Sequence, residues 1–316
     1  MAWCKNSYAA QKPCRSGVLQ IVYRLCMQAR KMLMDNGVLF ITGQYAPSHL
    51  EELSMNRRSI LLSLILSATA LAAPLTHAEA LDDILKAKVL RVAVPQDFPP
   101  FGSVGPDMKP VGYDIDVAAL LAKALGVKLE LVPVTSANRI PYLNTKKVDL
   151  VISSLGKNPE REKVIDFSAA YAPFFSGVFG GADLAISKAE QLADKTVGVT
   201  RGAVEDLELS KIAPPTTTIK RFEDNNATIS AFLSGQVPLI ATGNVVAGAI
   251  VEKQAAKKLE FKFFIKNSPC YVGINKSEPK LLAQVNAILA KSKVDGSLNS
   301  IAQKWLKTTR PVTALL

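Results

Sequence analysis

From residue 81 onward the chain predicts an α/β protein of two α/β lobes joined by two extended hinge segments. Three observations carry this. Short β-type runs alternate with helix-type segments. The alternation stops at Gly180-Gly181 and starts afresh. An extended run then returns after Pro269.

Residues 89–94 are an apolar strand run closed by Pro95 and Pro99-Pro100. Residues 114–125 carry Ile115, Val117, Leu120, Leu121 and Leu125 at helical spacing, with Asp114 or Asp116 expected to cap the start and Gly126 to end it. Residues 128–133 read as a strand, 140–143 open a short helix, and 148–153 form another strand. Residues 159–164 read as a helix with Asn158 at the N-cap and Pro159 at the first position. This βαβ rhythm implies a parallel sheet covered by helices. The long aromatic run 171–180 is the first hinge segment.

The rhythm then resumes. Strands are expected at 196–200, 217–222, 238–242 and 261–265, with helices at 203–211, 225–234 and 245–258. Residues 270–275 form the second hinge segment. Helices near 278–292 and 297–307 close the chain, with Trp305 packing the last one onto a lobe. Lobe 1 is thus residues 81–175 and 270–316, and lobe 2 is 176–269. A double connection restricts relative motion to hinge bending, and hinge closure around a ligand is a known repertoire.

The N-terminal region has a different character. Arg57-Arg58 precedes an apolar run from residue 60 to 73, then Ala-x-Ala-type cleavage options end at Ala78 or Ala80. The run is shorter than the ~20 residues that span a bilayer. Residues 55–80 therefore read as an export signal, removed on secretion. Such signals begin at a start codon, so Met55 is expected to be the true start and residues 1–54 translated upstream sequence. The arginine pair loosely resembles a twin-arginine signal, with ordinary unfolded-state export as the other route.

Composition excludes several classes. Of 4 cysteines, only Cys270 follows the signal, so no internal disulfide forms there. Both histidines, His49 and His77, precede residue 81. A Ser-His-Asp or Cys-His nucleophile system is therefore excluded, and a usual zinc site cannot be built. No P-loop and no Gly-x-Gly-x-x-Gly is present. The formal net charge is +11, but the cations are spread singly rather than in blocks, which reads as solvated surface and not as a nucleic-acid site. No metal and no cofactor is expected.

Seven short motifs follow one another in a set order: Leu90-Arg91-Val92, Pro99-Pro100-Phe101, Gly112-Tyr113-Asp114-Ile115-Asp116, Arg139-Ile140-Pro141, Val148-Asp149-Leu150, Glu160-Arg161 and Asp166-Phe167-Ser168. Together they resemble the family 3 extracellular solute-binding proteins, which serve amino-acid ABC importers. The resemblance covers essentially all of residues 81–316. Residues 135–141 and 158–161 resemble the glutamate/aspartate-binding branch. The implied fold is periplasmic-binding-protein-like, type II.

The resemblance implies a role for Arg161: gripping the ligand's α-carboxylate. A planar guanidinium can do so through two parallel charge-assisted hydrogen bonds. Ser153, Ser154, Gly156 and Asn158 precede it, at the C-terminal end of a strand, where open α/β sheets bind ligands. The family commonly has threonine where Gly156 stands, so only a backbone contact is left there. Phe98 sits where relatives often place an aromatic wall, while Phe101 reads as core. At Ser136 a second aromatic is missing. In lobe 2, Thr200, Gly202 and Ala203 enter a helix whose free N–H groups attract a carboxylate. Relatives place an ammonium-binding aspartate at the position of Gly243. Its replacement leaves three options: another carboxylate (Glu205, Asp206, Glu223 or Asp224), neutral acceptors such as Asn244, or a ligand with no ammonium. Arg139, Lys157 and Arg201 add positive charge near the cleft.

The function implied is a periplasmic substrate-binding component that closes on a polar amino acid, acidic ones included. It would deliver this ligand to an inner-membrane permease with a cytoplasmic ATPase, acting as a monomer and not as an enzyme. The alternatives are an enzyme on the same fold, akin to cyclohexadienyl dehydratases, or a binding protein for another carboxylate.

Overall fold

The computed structural model describes residues 79–253, 259–308 and 310–315. The expected upstream extension and the export signal up to residue 78 lie outside the described residues, as does the end of the helix expected over 245–258.

Lobe 1 is built on a five-stranded sheet of order β4-β1-β5-β12-β6. Its strands are β1 (Val89–Pro95), β4 (Lys128–Val134), β5 (Leu150–Leu155), β6 (Ile165–Ala172) and β12 (Cys270–Asn275). β1 pairs in parallel with β4 and β5, whereas β12 runs antiparallel to both β5 and β6. The sheet is therefore mixed, not purely parallel. The antiparallel pairs come from the chain returning late, a long-range event that local rhythm does not report. Every residue of β5 is buried, as expected of a central strand with helices on both faces. A small hairpin of β2 (Ser103–Val104) and β3 (Pro110–Val111) follows β1.

The helices of this lobe are α1 (Ala80–Ala87), α2 (Tyr113–Leu125), α3 (Arg139–Asn144) and α4 (Pro159–Glu162). α2 ends at Gly126 in the left-handed conformation with φ +68°, as the sequence predicts. Its start differs. Gly112 occupies the N-cap, and neither Asp114 nor Asp116 caps it. Asp114 is instead buried, and Asp116 accepts from the indole N–H of Trp305 at 2.7 Å. Trp305 thereby fastens the last long helix to lobe 1.

Lobe 2 has a sheet of order β11-β7-β10-β8-β9. It comprises β7 (Phe175–Gly181), β8 (Thr196–Thr200), β9 (Thr218–Phe222), β10 (Leu239–Gly243) and β11 (Leu259–Asn267). β8 is parallel to β9 and β10, while β7 is antiparallel to β10 and β11. Helices α5 (Val204–Ile212), α6 (Asn225–Leu233) and α7 (Asn244–Lys253) cover it. α8 (Pro279–Val294) and α9 (Ser297–Leu306) then pack on lobe 1.

The expected single run over 171–180 is broken at Pro173-Phe174, between β6 and β7. There the chain passes from one sheet to the other, and it returns at Ser268-Pro269. The two crossings are tied together, the Ser268 N–H donating to the Phe174 carbonyl at 3.0 Å. Fully buried Leu90, Leu121, Leu150 and Ile152 lie in the lobe 1 core, each worth about 1.5–3 kcal/mol of burial.

Two of the sequence motifs meet as a staple. The Arg91 guanidinium donates to both carboxylate oxygens of Asp149, at 2.5 and 3.2 Å, and the Arg91 N–H adds a third bond at 2.8 Å. This bidentate pair fixes β1 against the start of β5.

Candidate functional site

The first turn of α4 is set by its own sequence. Asn158 stands at the N-cap, and its side-chain oxygen accepts from the Arg161 N–H at 2.9 Å, with Pro159 next in line. This directs the Arg161 side chain back toward Gly156, the residue that follows β5. Its Nη1 donates to the Gly156 carbonyl at 2.6 Å and its Nη2 to the Gly202 carbonyl at 2.9 Å. Gly156 belongs to lobe 1 and Gly202 to lobe 2. Arg161 is thus a buried bridge between the lobes, with further N–H donors of its fork free of protein acceptors among the described residues.

Other contacts close the same junction. The Asn158 amide donates to Glu208 at 3.3 Å, and Lys266 donates to the Lys157 carbonyl at 2.9 Å. Asp97, in the loop after β1, accepts from the Asn225 N–H at 2.6 Å and from its amide at 3.2 Å. Gly202 has φ +72°, and a Cβ there would sit 3.0 Å from the Cα of Ala137. Glycine is required at that turn by conformation and by the approach of lobe 1.

The remaining candidates divide. Ser153 is fully buried, and its hydroxyl accepts from the Arg139 Nε–H at 3.0 Å. Ser154 has φ +41° and donates its N–H to Asp114 at 2.6 Å. Ala203 leads into α5 and is buried. Ser153 thus meets Arg139, and Gly156, Asn158 and Gly202 meet Arg161, with Ser154 and Ala203 next to them in the chain. Phe98 packs with Phe101 and Phe174, with ring centroids 6.0 and 6.1 Å away. The Thr200 hydroxyl is engaged by Asn225 and Thr228 within lobe 2, at 2.9 and 2.8 Å. Asn244 is the first residue of α7, and its side-chain oxygen accepts from the Phe175 N–H at 3.3 Å, on the hinge side. Gly243 has no room for a side chain, because a Cβ would fall 2.2 Å from the Phe174 ring.

Sequence reasoning did not select Asp97, Asn225, Ser268 or the burial of Arg139. Of these, only Asp97 offered a signal, as an acid directly before the Phe98 position.

The electrostatics are those of a small charged enclosure. Burial pushes the Arg161 guanidinium down to about 10, with the nearby Arg139 charge adding to the effect and Glu205 and Glu208 opposing it. It remains a cation at neutral pH. Burial likewise lowers Arg139, against the charges of Glu205, Asp97 and Asp114. The Glu205 carboxyl is pushed up by burial and held back by its own N–H and by Arg139 and Arg161. Such a junction can hold an anion and a neighbouring donor. The surface hollow lined by Thr196, Arg201, Thr218, Lys220, Arg221 and Gln236 shares none of these residues. Among the described residues, no group of three His, Cys, Asp or Glu is placed to hold a metal ion.

Two lobes doubly connected and shut on a charged junction are the construction of a protein that encloses a small solute. The chain belongs to the bacterial extracellular solute-binding proteins, family 3, whose model matches residues 90–308. It is 28% identical over 247 residues to the L-cystine-binding protein TcyJ of Escherichia coli K12, covering 75% of this chain and 92% of that one. Among solved structures, a mutant of ArgBP from T. maritima superposes with a TM-score of 0.68 at 29% identity, over 72% of this chain and 100% of that one. The ancestral amino acid-binding protein AncCDT-1, described as a precursor of cyclohexadienyl dehydratase, gives 0.65 at 34% identity, over 71% and 98%.

Proposed function

We propose that this protein is the periplasmic substrate-binding component of an amino-acid ABC importer. It closes on a polar amino acid, acidic ones included, and hands it to an inner-membrane permease driven by a cytoplasmic ATPase. Arg161 grips the ligand's carboxylate, with Ser153, Ser154, Gly156 and Asn158 on one lobe and Gly202 and Ala203 on the other. Phe98, Thr200 and Asn244 support the walls of the cleft. The protein acts as a monomer, exported by the signal at residues 55–80. The single observation that carries this reading is the buried Arg161 guanidinium reaching carbonyls of both lobes. A ligand that touches both lobes stabilises the shut form by its differential affinity for it.

Thermal-shift screening of the purified protein against amino acids and small carboxylates tests it. A ligand at 100 times its Kd raises stability by roughly 2.7 kcal/mol. Arg161→Ala should abolish the shift; a full shift in that variant removes the assignment. A second reading, an enzyme on the same fold, is supported by Glu205, a buried carboxyl pushed toward its protonated form, as a general acid requires. Turnover of prephenate or arogenate by the wild-type protein would favour it over binding alone.

A further inference from the structure

Glu205 lies in the first turn of α5, three residues after Gly202, whose carbonyl accepts from Arg161, and is only 4% exposed. Its Oε1 is buried with no hydrogen-bond partner. The other acids near this turn are all engaged. Asp206 accepts from the Gly202 N–H and from Arg221. Asp224 caps α6 through the Ala227 N–H, and Asp97 is held by Asn225. Glu208 accepts from Asn158, Lys211 and Lys266, and Glu223 is exposed beside Arg201. Among the described residues near this turn, Glu205 is the acid that keeps a buried carboxylate oxygen without a partner.

A second orphaned atom lies nearby. The Ser268 hydroxyl is buried without a partner, 2.4 Å from where a Cβ on Gly156 would stand. The same point is 3.3 Å from the side chain of Val204, which precedes Glu205. Leaving a buried polar atom unpaired costs free energy, so both atoms call for hydrogen-bonding groups that arrive from outside. Arg139 and Arg161 act on Glu205 through space but do not bond it. An acceptor beside two guanidinium groups is matched by a ligand that carries its own cation next to an anion.

We propose that Glu205 accepts a hydrogen bond from a cationic nitrogen of the ligand whose carboxylate rests on Arg161. The assignment rests on the binding reading above and narrows it to zwitterionic or cation-bearing carboxylates. Plain dicarboxylates are disfavoured. The shared chemistry is a charged N–H donor, supplied either by an α-ammonium group or by a side-chain guanidinium. At Gly243, the last residue of β10, a side chain would run into the Phe174 ring, which leaves this task to lobe 2's other entrance turn.

The test measures Kd by calorimetry for the full-length mature protein with four probes: L-glutamine, L-arginine, δ-guanidinovaleric acid and glutaric acid. The wild-type protein should bind at least one cation-bearing probe about tenfold or more tighter than glutaric acid, and Glu205→Gln should reduce that preference to about threefold or less. Glutamine separates the α-ammonium source, and δ-guanidinovaleric acid the side-chain source. Because each preference is a ratio within one protein, partial unfolding of a variant cancels. Equal wild-type binding of glutaric acid, or a preference that survives Glu205→Gln, overturns the assignment. If Arg161→Ala loses every probe while Glu205→Gln keeps the preference, the binding reading stands and only Glu205 falls. A wild-type protein that binds none of the four overturns the assignment as well, and the amino-acid screen then decides the broader reading.

Discussion

Asp114 shows how one side chain can shape the loop that leads to Arg161 through its own hydrogen bonds. Its carboxylate accepts from the Ser154 N–H and from the Tyr171 hydroxyl, each at 2.6 Å. The first bond holds Ser154 at φ +41°, an uncommon conformation for a residue with a side chain, beside the Ser153–Arg139 contact. Burial pushes the Asp114 carboxyl up to about 7, with Tyr171, the Ser154 N–H and Arg139 opposing. A raised folded pKa means the folded state keeps a proton that the unfolded chain has lost. Stability from this group is therefore full below the ordinary aspartate range and is lost as pH rises through about 7. Asp114→Asn retains the shape and removes the titration. Urea unfolding should show wild-type stability falling relative to the variant by roughly 1–4 kcal/mol between pH values of about 4 and 8. Parallel pH profiles for the two proteins would refute the assignment.

At the scale of elements, α4 is the most dependent on a single residue. A helix of 4 residues cannot nucleate alone, so its geometry rests on the Asn158 cap, on Pro159 and on packing against β6. Asn158→Ala should cost about 1 kcal/mol through the cap, lowering Tm by about 2–4 °C. Ligand affinity should fall too, because the same residue aims Arg161 and bonds Glu208 across the junction. Asn158→Asp, which can still cap, should recover most of the Tm. Calorimetry of the pair checks this, and an unchanged Tm in the alanine variant would count against the cap's importance.

At the scale of the molecule, the two lobes are latched by more than Arg161. Asp97 reaches from lobe 1 to the N-terminus of α6 in lobe 2, where unpaired N–H groups and the helix dipole favour an anion. Both its carboxylate oxygens are used there. Loss of this latch by Asp97→Ala should remove roughly 1–3 kcal/mol from the shut form. Ligand-free protein should then be more open in small-angle scattering, and Kd should weaken by roughly fivefold to 100-fold. A variant with unchanged radius of gyration and unchanged affinity would show that Asp97 is not a latch.

The alternation of strands and helices, the Asn158–Pro159 start and the Gly126 stop were legible because each acts over a few neighbouring residues. Arg161 was legible as a candidate because its cap and its motif are local as well. The antiparallel partners β12 and β7 were not, since strand pairing depends on segments distant in the chain. Asp114 was misread as a cap for the same reason: its partners, Ser154 and Tyr171, lie 40 and 57 residues away. Local composition by itself determined two α/β units and a double crossing, and it left residues 81–316 without a histidine. Only the tertiary structure decided which charges share the junction. Asp97 meets Asn225 across 128 residues. The tertiary structure also decided that one carboxylate oxygen of Glu205 lies buried without a partner among the described residues, which no local pattern reports.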